Sequence, residues 1–395
     1  MEPHFLTRRA AISRPLVCCA IPLGYGPAAK LIVLAAALRR RGIQCVFVGR
    51  GIALELALRE RGLFQDVVAA SGPAEVSGAL LRSSWGILSV MDRDFSPLAA
   101  EFHRPLYVVD SLLWMRDRLP ECWQAAERIW AQNFMGLDQS PLLAIPAVSV
   151  VGPIVDSSQS GGRRLPRQGL VVNLGGCESP QSDGGLADRY AGFVVEGLLA
   201  SPLSDRFANQ IVLLAGHRCS ARLQHRFQGC GFEFLSLPHH LALERIAAAE
   251  LVLTAPGLTA TLECFQHGVP ACFLPPQNYS QWCILRSLRA AGLAGAALHW
   301  EDLSPGPPLG DRLPEPIRNP IVREAIARAI ADAAAASALR QALAQISTLD
   351  FAELAHRQGR FFDSLGDCGA ESIAAELCSR HSAPRARPIA AAAAG

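Results

Sequence analysis

Residues 251–281, LVLTAPGLTATLECFQHGVPACFLPPQNYSQ, decide how this chain is read. Leu251–Thr254 has the composition of a short buried strand. A Pro-Gly turn follows at Pro256 and Gly257, then a helix opening with Thr259 and Thr261, a second apolar strand near Ala271–Leu274, and a polar loop carrying Gln277, Asn278 and Gln281. In a parallel sheet that order sets the turn and the polar loop at adjacent carboxyl ends of strands, where open α/β sheets hold ligands. A helix start that offers unpaired N–H groups and threonine hydroxyls beside a glycine suits a phosphate, because orphan donors and helix dipole both favour an anion. Glu263, about one turn further in, is too deep to cap the helix and is placed to accept the two hydroxyls of a ribose. The segment is built for a nucleotide diphosphate.

Working outward, the same alternation repeats on both sides. Leu16–Ile21 reads as a strand, Ala28–Arg41 as a helix, Cys45–Val48 as a strand, Ile52–Arg61 as a helix and Leu106–Val109 as a strand. Helices of this length between strands imply right-handed βαβ units and a parallel sheet. The stretch SSQSGGRRLPRQ at 157–168 is the linker, after which the pattern restarts with Leu170–Asn173, Leu186–Ala200, Ile211–Leu214 and Leu241–Ala249. The expected architecture is therefore α/β, two Rossmann-like domains facing across a cleft. Residues 1–156 form the N-terminal acceptor domain and 169–346 the C-terminal donor domain. Asn319–Ile346 reads as one alanine-rich helix, 347–381 as helices returning to the first domain through Phe351–Leu365, and 382–395 as a disordered tail.

Several further residues face the expected cleft. Gly24-Tyr25-Gly26-Pro27 is a glycine-rich strand-to-helix turn opposite the nucleotide, where an acceptor and a transferred group would meet. Lys30 is the only lysine in the chain. Near the start of its helix a cation opposes the dipole by about 0.3–1 kcal/mol, a cost that a phosphate or sugar carboxylate beside it would reverse, with an ordinary solvated lysine as the alternative. Asp110 closes the apolar run Val108-Val109 and is the first choice for a general base, with a capping role as the alternative. Gly175 and Gly176 end a second-domain strand, where backbone amides can approach a diphosphate or simply make a tight turn. His239 and His240 follow Leu237-Pro238, and base binding is preferred there to a metal site, because adjacent side chains diverge and no third ligand is spaced for one.

The ordered set Pro-Gly, Thr259, Glu263 and the glutamine-rich loop resembles the donor-binding half of two-domain (GT-B) nucleotide-sugar glycosyltransferases of the lipid-II N-acetylglucosaminyltransferase type. The resemblance implies that Gly257, Thr259 and Thr261 contact the diphosphate, Glu263 the ribose, and Gln277 and Gln281 the sugar, with His239 at the base. Relatives place a catalytic histidine near the first glycine-rich turn, and this chain has Tyr25 there. Gly24-Tyr25-Gly26-Pro27 with Lys30, and VVDSLLW ending in Trp114, also resemble the cytosylglucuronate synthases, which transfer glucuronic acid from UDP-glucuronate to cytosine. That narrower likeness implies a uronate held by Lys30.

Composition narrows the alternatives. A chain of 395 residues is long enough for two full cores, and 50% hydrophobic with 18% charged residues argues against disorder. A net charge of +2 without a dense basic block excludes a general pull toward nucleic acid. The 12 cysteines are scattered, with no CxxC pair, which suits reduced thiols in a cytoplasmic protein. Arg14 and Pro15 interrupt the resemblance of the N-terminus to a leader, and no stretch reaches the roughly 18 apolar residues of a membrane span; surface contact with a membrane and the oligomeric state stay open. The expectation is a metal-independent, cytoplasmic glycosyltransferase using a UDP-sugar as co-substrate, with no other cofactor. A sugar-nucleotide hydrolase on the same fold and a non-catalytic nucleotide-sugar-binding subunit are the alternatives.

Overall fold

The computed structural model describes residues 14–156, 166–175, 177, 184–304, 313 and 315–382. Gly176, most of the linker and the expected tail beyond residue 382 lie outside them. The first domain runs β1 (Leu16–Ala20), α1 (Tyr25–Arg40), β2 (Cys45–Gly49), α2 (Gly51–Arg59), β3 (Asp66–Ala69), α3 (Gly78–Ser83), β4 (Gly86–Val90), α4 (Leu98–Glu101), β5 (Leu106–Asp110), β6 (Arg128–Gln132) and β7 (Val148–Val151). The second runs β8 (Leu170–Asn173), α5 (Gly184–Leu199), α6 (Pro202–Arg206), β9 (Ile211–Leu214), α7 (His217–Arg226), β10 (Phe232–Leu235), α8 (His239–Ala248), β11 (Leu251–Thr254), α9 (Leu258–Gln266), β12 (Ala271–Phe273), α10 (Tyr279–Ala290) and α11 (Trp300–Leu303). Four helices close the chain: α12 (Glu315–Ala331), α13 (Ala333–Ile346), α14 (Phe351–Ser364) and α15 (Gly369–Ser382).

Both sheets are parallel, in the orders β3-β2-β1-β4-β5-β6-β7 and β10-β9-β8-β11-β12. Helices cover both faces, which is why β1, β2, β4 and β5 are mostly apolar and buried along their whole length. In each sheet the chain reverses direction beside its first strand, between β1 and β4 and between β8 and β11. Loops at such a switch point diverge and leave a crevice. The two crevices face each other.

Two expectations about the C-terminal region are corrected. The alanine-rich helix is two helices, because Asp332 interrupts it and its side chain accepts from Ala334 N to cap α13. Phe351–Leu365 packs mainly on the second domain, where Gln358 of α14 is fully buried and bonds the backbone of Ala271 and Leu293, and reaches the first domain at its end, where Phe361 lies edge-on to Phe134 and Leu365 O accepts from Asn133 Nδ2 at 3.0 Å. The return is made by α15, which packs on α1 and is tied in by Gly369 N to Pro153 O at 2.8 Å and by Trp130 Nε1 to Glu376 at 2.8 Å.

Candidate active site between the two domains

A cavity of about 700 Å³ lies between the domains, lined by the loops after β1, β4, β5, β8 and β11. Gly24 starts α1 with φ +68°, a conformation that favours glycine, and Gly26 brings that turn against α9, where a Cβ would stand 3.1 Å from Thr259 Oγ1. The N-termini of α1 and α9 thus meet across the domain boundary. Neither has a side-chain cap or an acidic residue in its first turn. Each leaves N–H groups without intrahelical partners and carries roughly half a positive charge, so the junction favours an anion.

The second-domain wall brings six of the sequence-predicted residues together. Gly257, Thr259, Glu263, Gln277, Asn278 and Gln281 all line the cavity. Glu263 is 5% exposed and its Oε1 lies 2.8 Å from His239 Nε2. Burial alone would lower the His239 pKa, but the Glu263 carboxylate raises it above its ordinary value through both charge and hydrogen bond. Gln281 Oε1 accepts from Gln277 N at 2.8 Å, and Asn278 caps α10 by accepting from Gln281 N at 3.0 Å, so the glutamine pair is held by its own loop.

Other expected contacts are not brought together. Thr261 is fully buried and off the cavity, because two residues along a helix turn the side chain by about 200° from Thr259. The N–H of Gly175 donates to Asn173 Oδ1 at 3.1 Å, so this glycine lines the cavity without offering its amide. His239 lines the cavity with its Nε2 on the Glu263 carboxylate rather than standing as a lone group. His240 turns away to Glu60 of the first domain, 2.8 Å distant.

The largest corrections are in the first domain. Asp110 is fully buried: its Oδ1 accepts from Leu112 N at 2.9 Å, and its Oδ2 pairs with Arg116 Nε. With both oxygens engaged below the surface it does not reach the cavity, and its role is to hold Arg116. Lys30 is 1% exposed and behind the wall, with its ammonium on Thr259 Oγ1 rather than in the cavity. Tyr25 does line the cavity. Beside it the wall carries Arg50, Arg93, Asp94 and Arg116, none of which the sequence reading singled out. Arg50 pairs with Asp94, whose side chain is 59% exposed, and Arg116 lies 5.1 Å over the Trp123 ring. Arg93 and Asp94 are delivered by a turn at Met91, a non-glycine residue at φ +58°, the kind of strain that concentrates at functional sites. The signal was the acid-base cluster Met91-Asp92-Arg93-Asp94 following the apolar run Gly86–Val90.

No family model matches the chain, and no curated protein matches it. Solved structures do. Arabidopsis thaliana UGT89C1 complexed with UDP is 15% identical, with a TM-score of 0.53 over 93% of this chain and 100% of that one. The spinosyn forosaminyltransferase SpnP is 11% identical, with a TM-score of 0.50 over 94% and 100%. LpCGTa in complex with UDP is 14% identical, with a TM-score of 0.50 over 94% and 100%. At these identities the likeness is one of fold: the two-domain GT-B architecture, spanning nearly the whole chain.

Among the described residues, no helix is long and apolar enough to cross a membrane, and no three or more His, Cys, Asp or Glu side chains group as a metal site.

Proposed function

We propose that the protein is a glycosyltransferase that moves a sugar from a UDP-sugar to a small-molecule acceptor. One observation carries this reading: two uncapped helix N-termini converge on a single interdomain cavity whose second-domain wall also holds Glu263, Gln277 and Gln281. In this reading the N–H groups at the start of α9 and the Thr259 hydroxyl receive the diphosphate. Glu263, oriented by His239, receives the ribose. Gln277 and Gln281 take the sugar hydroxyls, leaving its anomeric carbon toward the first domain.

Catalysis then has three sources: holding donor and acceptor together, stabilising the leaving diphosphate with aligned N–H donors, and removing the acceptor proton. Asp94 replaces Asp110 as the proposed base, because it is the carboxylate on the first-domain wall and is open to the cavity. Tyr25 stands at the start of α1, at the position where donor and acceptor meet. Charge on the diphosphate is balanced by helix ends and basic side chains, so the proposed transferase needs no metal.

The finer reading, glucuronate as sugar and cytosine as acceptor, draws on the first-domain resemblance and on the arginines of that wall. Arg50, Arg93 and Arg116 supply the cations that a uronate needs now that Lys30 stands behind the surface. Incubation of the pure protein with UDP-glucuronate, UDP-glucose and UDP-N-acetylglucosamine, each with and without cytosine and a panel of small acceptors, tests the whole reading. Release of UDP only with acceptor supports transfer. Release without acceptor indicates a hydrolase, and binding without release indicates a non-catalytic subunit. Equal use of all three sugars removes the uronate reading alone.

A further inference from the structure

The lone lysine of the chain is among its most buried polar side chains, at 1% exposure. From the second turn of α1 its ammonium crosses the domain boundary and donates to Thr259 Oγ1. That hydroxyl donates in turn to Gly26 O at 3.3 Å. An ammonium has three N–H donors, and among the described residues Thr259 is the one acceptor that meets this one. A buried cation is unfavourable unless paired and hydrogen-bonded, and the opposing carboxylate that acts on it, Glu263, is already held by His239. Burial moves Lys30 from 10.5 down to about 8, with Glu263 pulling it back up. Around this charge the N-termini of α1 and α9 add further positive potential. Three positive ends meet at one place with little to balance them.

We propose that Lys30 is a positioning residue for the diphosphate: from the first domain it fixes the Thr259 hydroxyl and supplies the positive charge behind it. A pyrophosphate at the start of α9 then also strengthens the tie between α1 and α9. This rests on the nucleotide-sugar reading above.

Calorimetric titration of the full chain with UDP and, separately, with uridine tests it on wild type, Lys30→Met, Thr259→Val and the double variant. Lys30→Met is expected to raise the Kd for UDP at least tenfold and to leave uridine within about twofold, since the nucleoside does not reach the phosphate site. The double variant is expected to bind UDP no worse than Thr259→Val, because Lys30, acting through Thr259, adds nothing once that hydroxyl is gone. Unchanged UDP affinity in a folded Lys30→Met overturns the inference while leaving the glycosyltransferase reading intact. So does an equal loss for UDP and uridine, which marks a packing role. Should Lys30→Met not fold, Thr259→Val decides by the same UDP-against-uridine ratio. Wild type that binds neither compound overturns the underlying reading and the inference with it.

Discussion

The two walls of the cavity are built in different ways. The second-domain wall takes Thr259, Glu263, Gln277 and Gln281 from one 31-residue stretch, 251–281, in which strand, turn, helix and loop follow in register, so that these four are neighbours in sequence and in space. The first-domain wall takes Tyr25, Arg50, Arg93, Asp94 and Arg116 from four loops spread over some ninety residues. The first kind of site recognises a fixed chemical group with locally determined geometry. The second suits a variable partner, because loops tolerate change in sequence and length more than the elements that carry them. In the proposed reading the invariant half of the reaction, the nucleotide, meets the compact wall, and the acceptor meets the assembled one.

The sharpest way to break this comparison is Asp94→Asn. As the base on the acceptor wall its loss should lower turnover by about 10² to 10⁴ and leave UDP affinity within twofold. Asp110→Asn should behave differently, costing about 3 kcal/mol of stability in a denaturant titration because it leaves Arg116 beside a neutral partner in a mostly buried pair. If Asp110→Asn abolishes turnover at an unchanged melting temperature while Asp94→Asn does not, the assignment of the two carboxylates is reversed.

On the other wall, Glu263→Ala should weaken UDP binding by about 1.5–3 kcal/mol, the range for hydrogen bonds to a charged group, with turnover at saturating donor far less affected. A comparable UDP loss from Asp94→Asn would erase the division of labour between the walls.

A smaller effect follows from pH. The folded pKa of His239 is raised, so the stability of its pair with Glu263 is fully present below the ordinary value of 6.5 and is lost as pH rises through the elevated one. Lys30 has the opposite sign: its folded pKa of about 8 lies below 10.5, so its unfavourable burial fades only as pH rises between those values. Melting temperatures should therefore fall from pH 6.5 toward 8 in wild type, and this slope should flatten in Glu263→Gln. A slope unchanged by that variant would assign it to other groups. Smallest of all is the effect of a chelator: EDTA should leave turnover within twofold, and a loss restored by a divalent cation would show that the two walls do not balance the diphosphate alone.

How much of this was readable follows the same division. The helix period could have excluded Thr261, since 200° of rotation separates it from Thr259. Asp110 was legible as a strand end but not as the partner of Arg116, because five intervening residues fold into a turn whose course depends on Trp123 packing beneath it. Lys30 announced itself by being the sole lysine. Its direction was hidden, for the side chain is aimed by contact between α1 and α9, which are more than two hundred residues apart.

The sequence by itself determined the parallel α/β architecture, the chain reversal into a second domain, and the nucleotide-shaped order of turn, helix and glutamine loop. These rest on periodicity and on short-range backbone preferences, such as the glycine needed at φ +68° before α1. Tertiary structure alone decided which carboxylate is open to the cavity, which arginines share a wall, and that a buried ammonium of one domain ends on a hydroxyl of the other. Those outcomes depend on where two separately encoded sheets come to rest against each other, and no local pattern carries that distance.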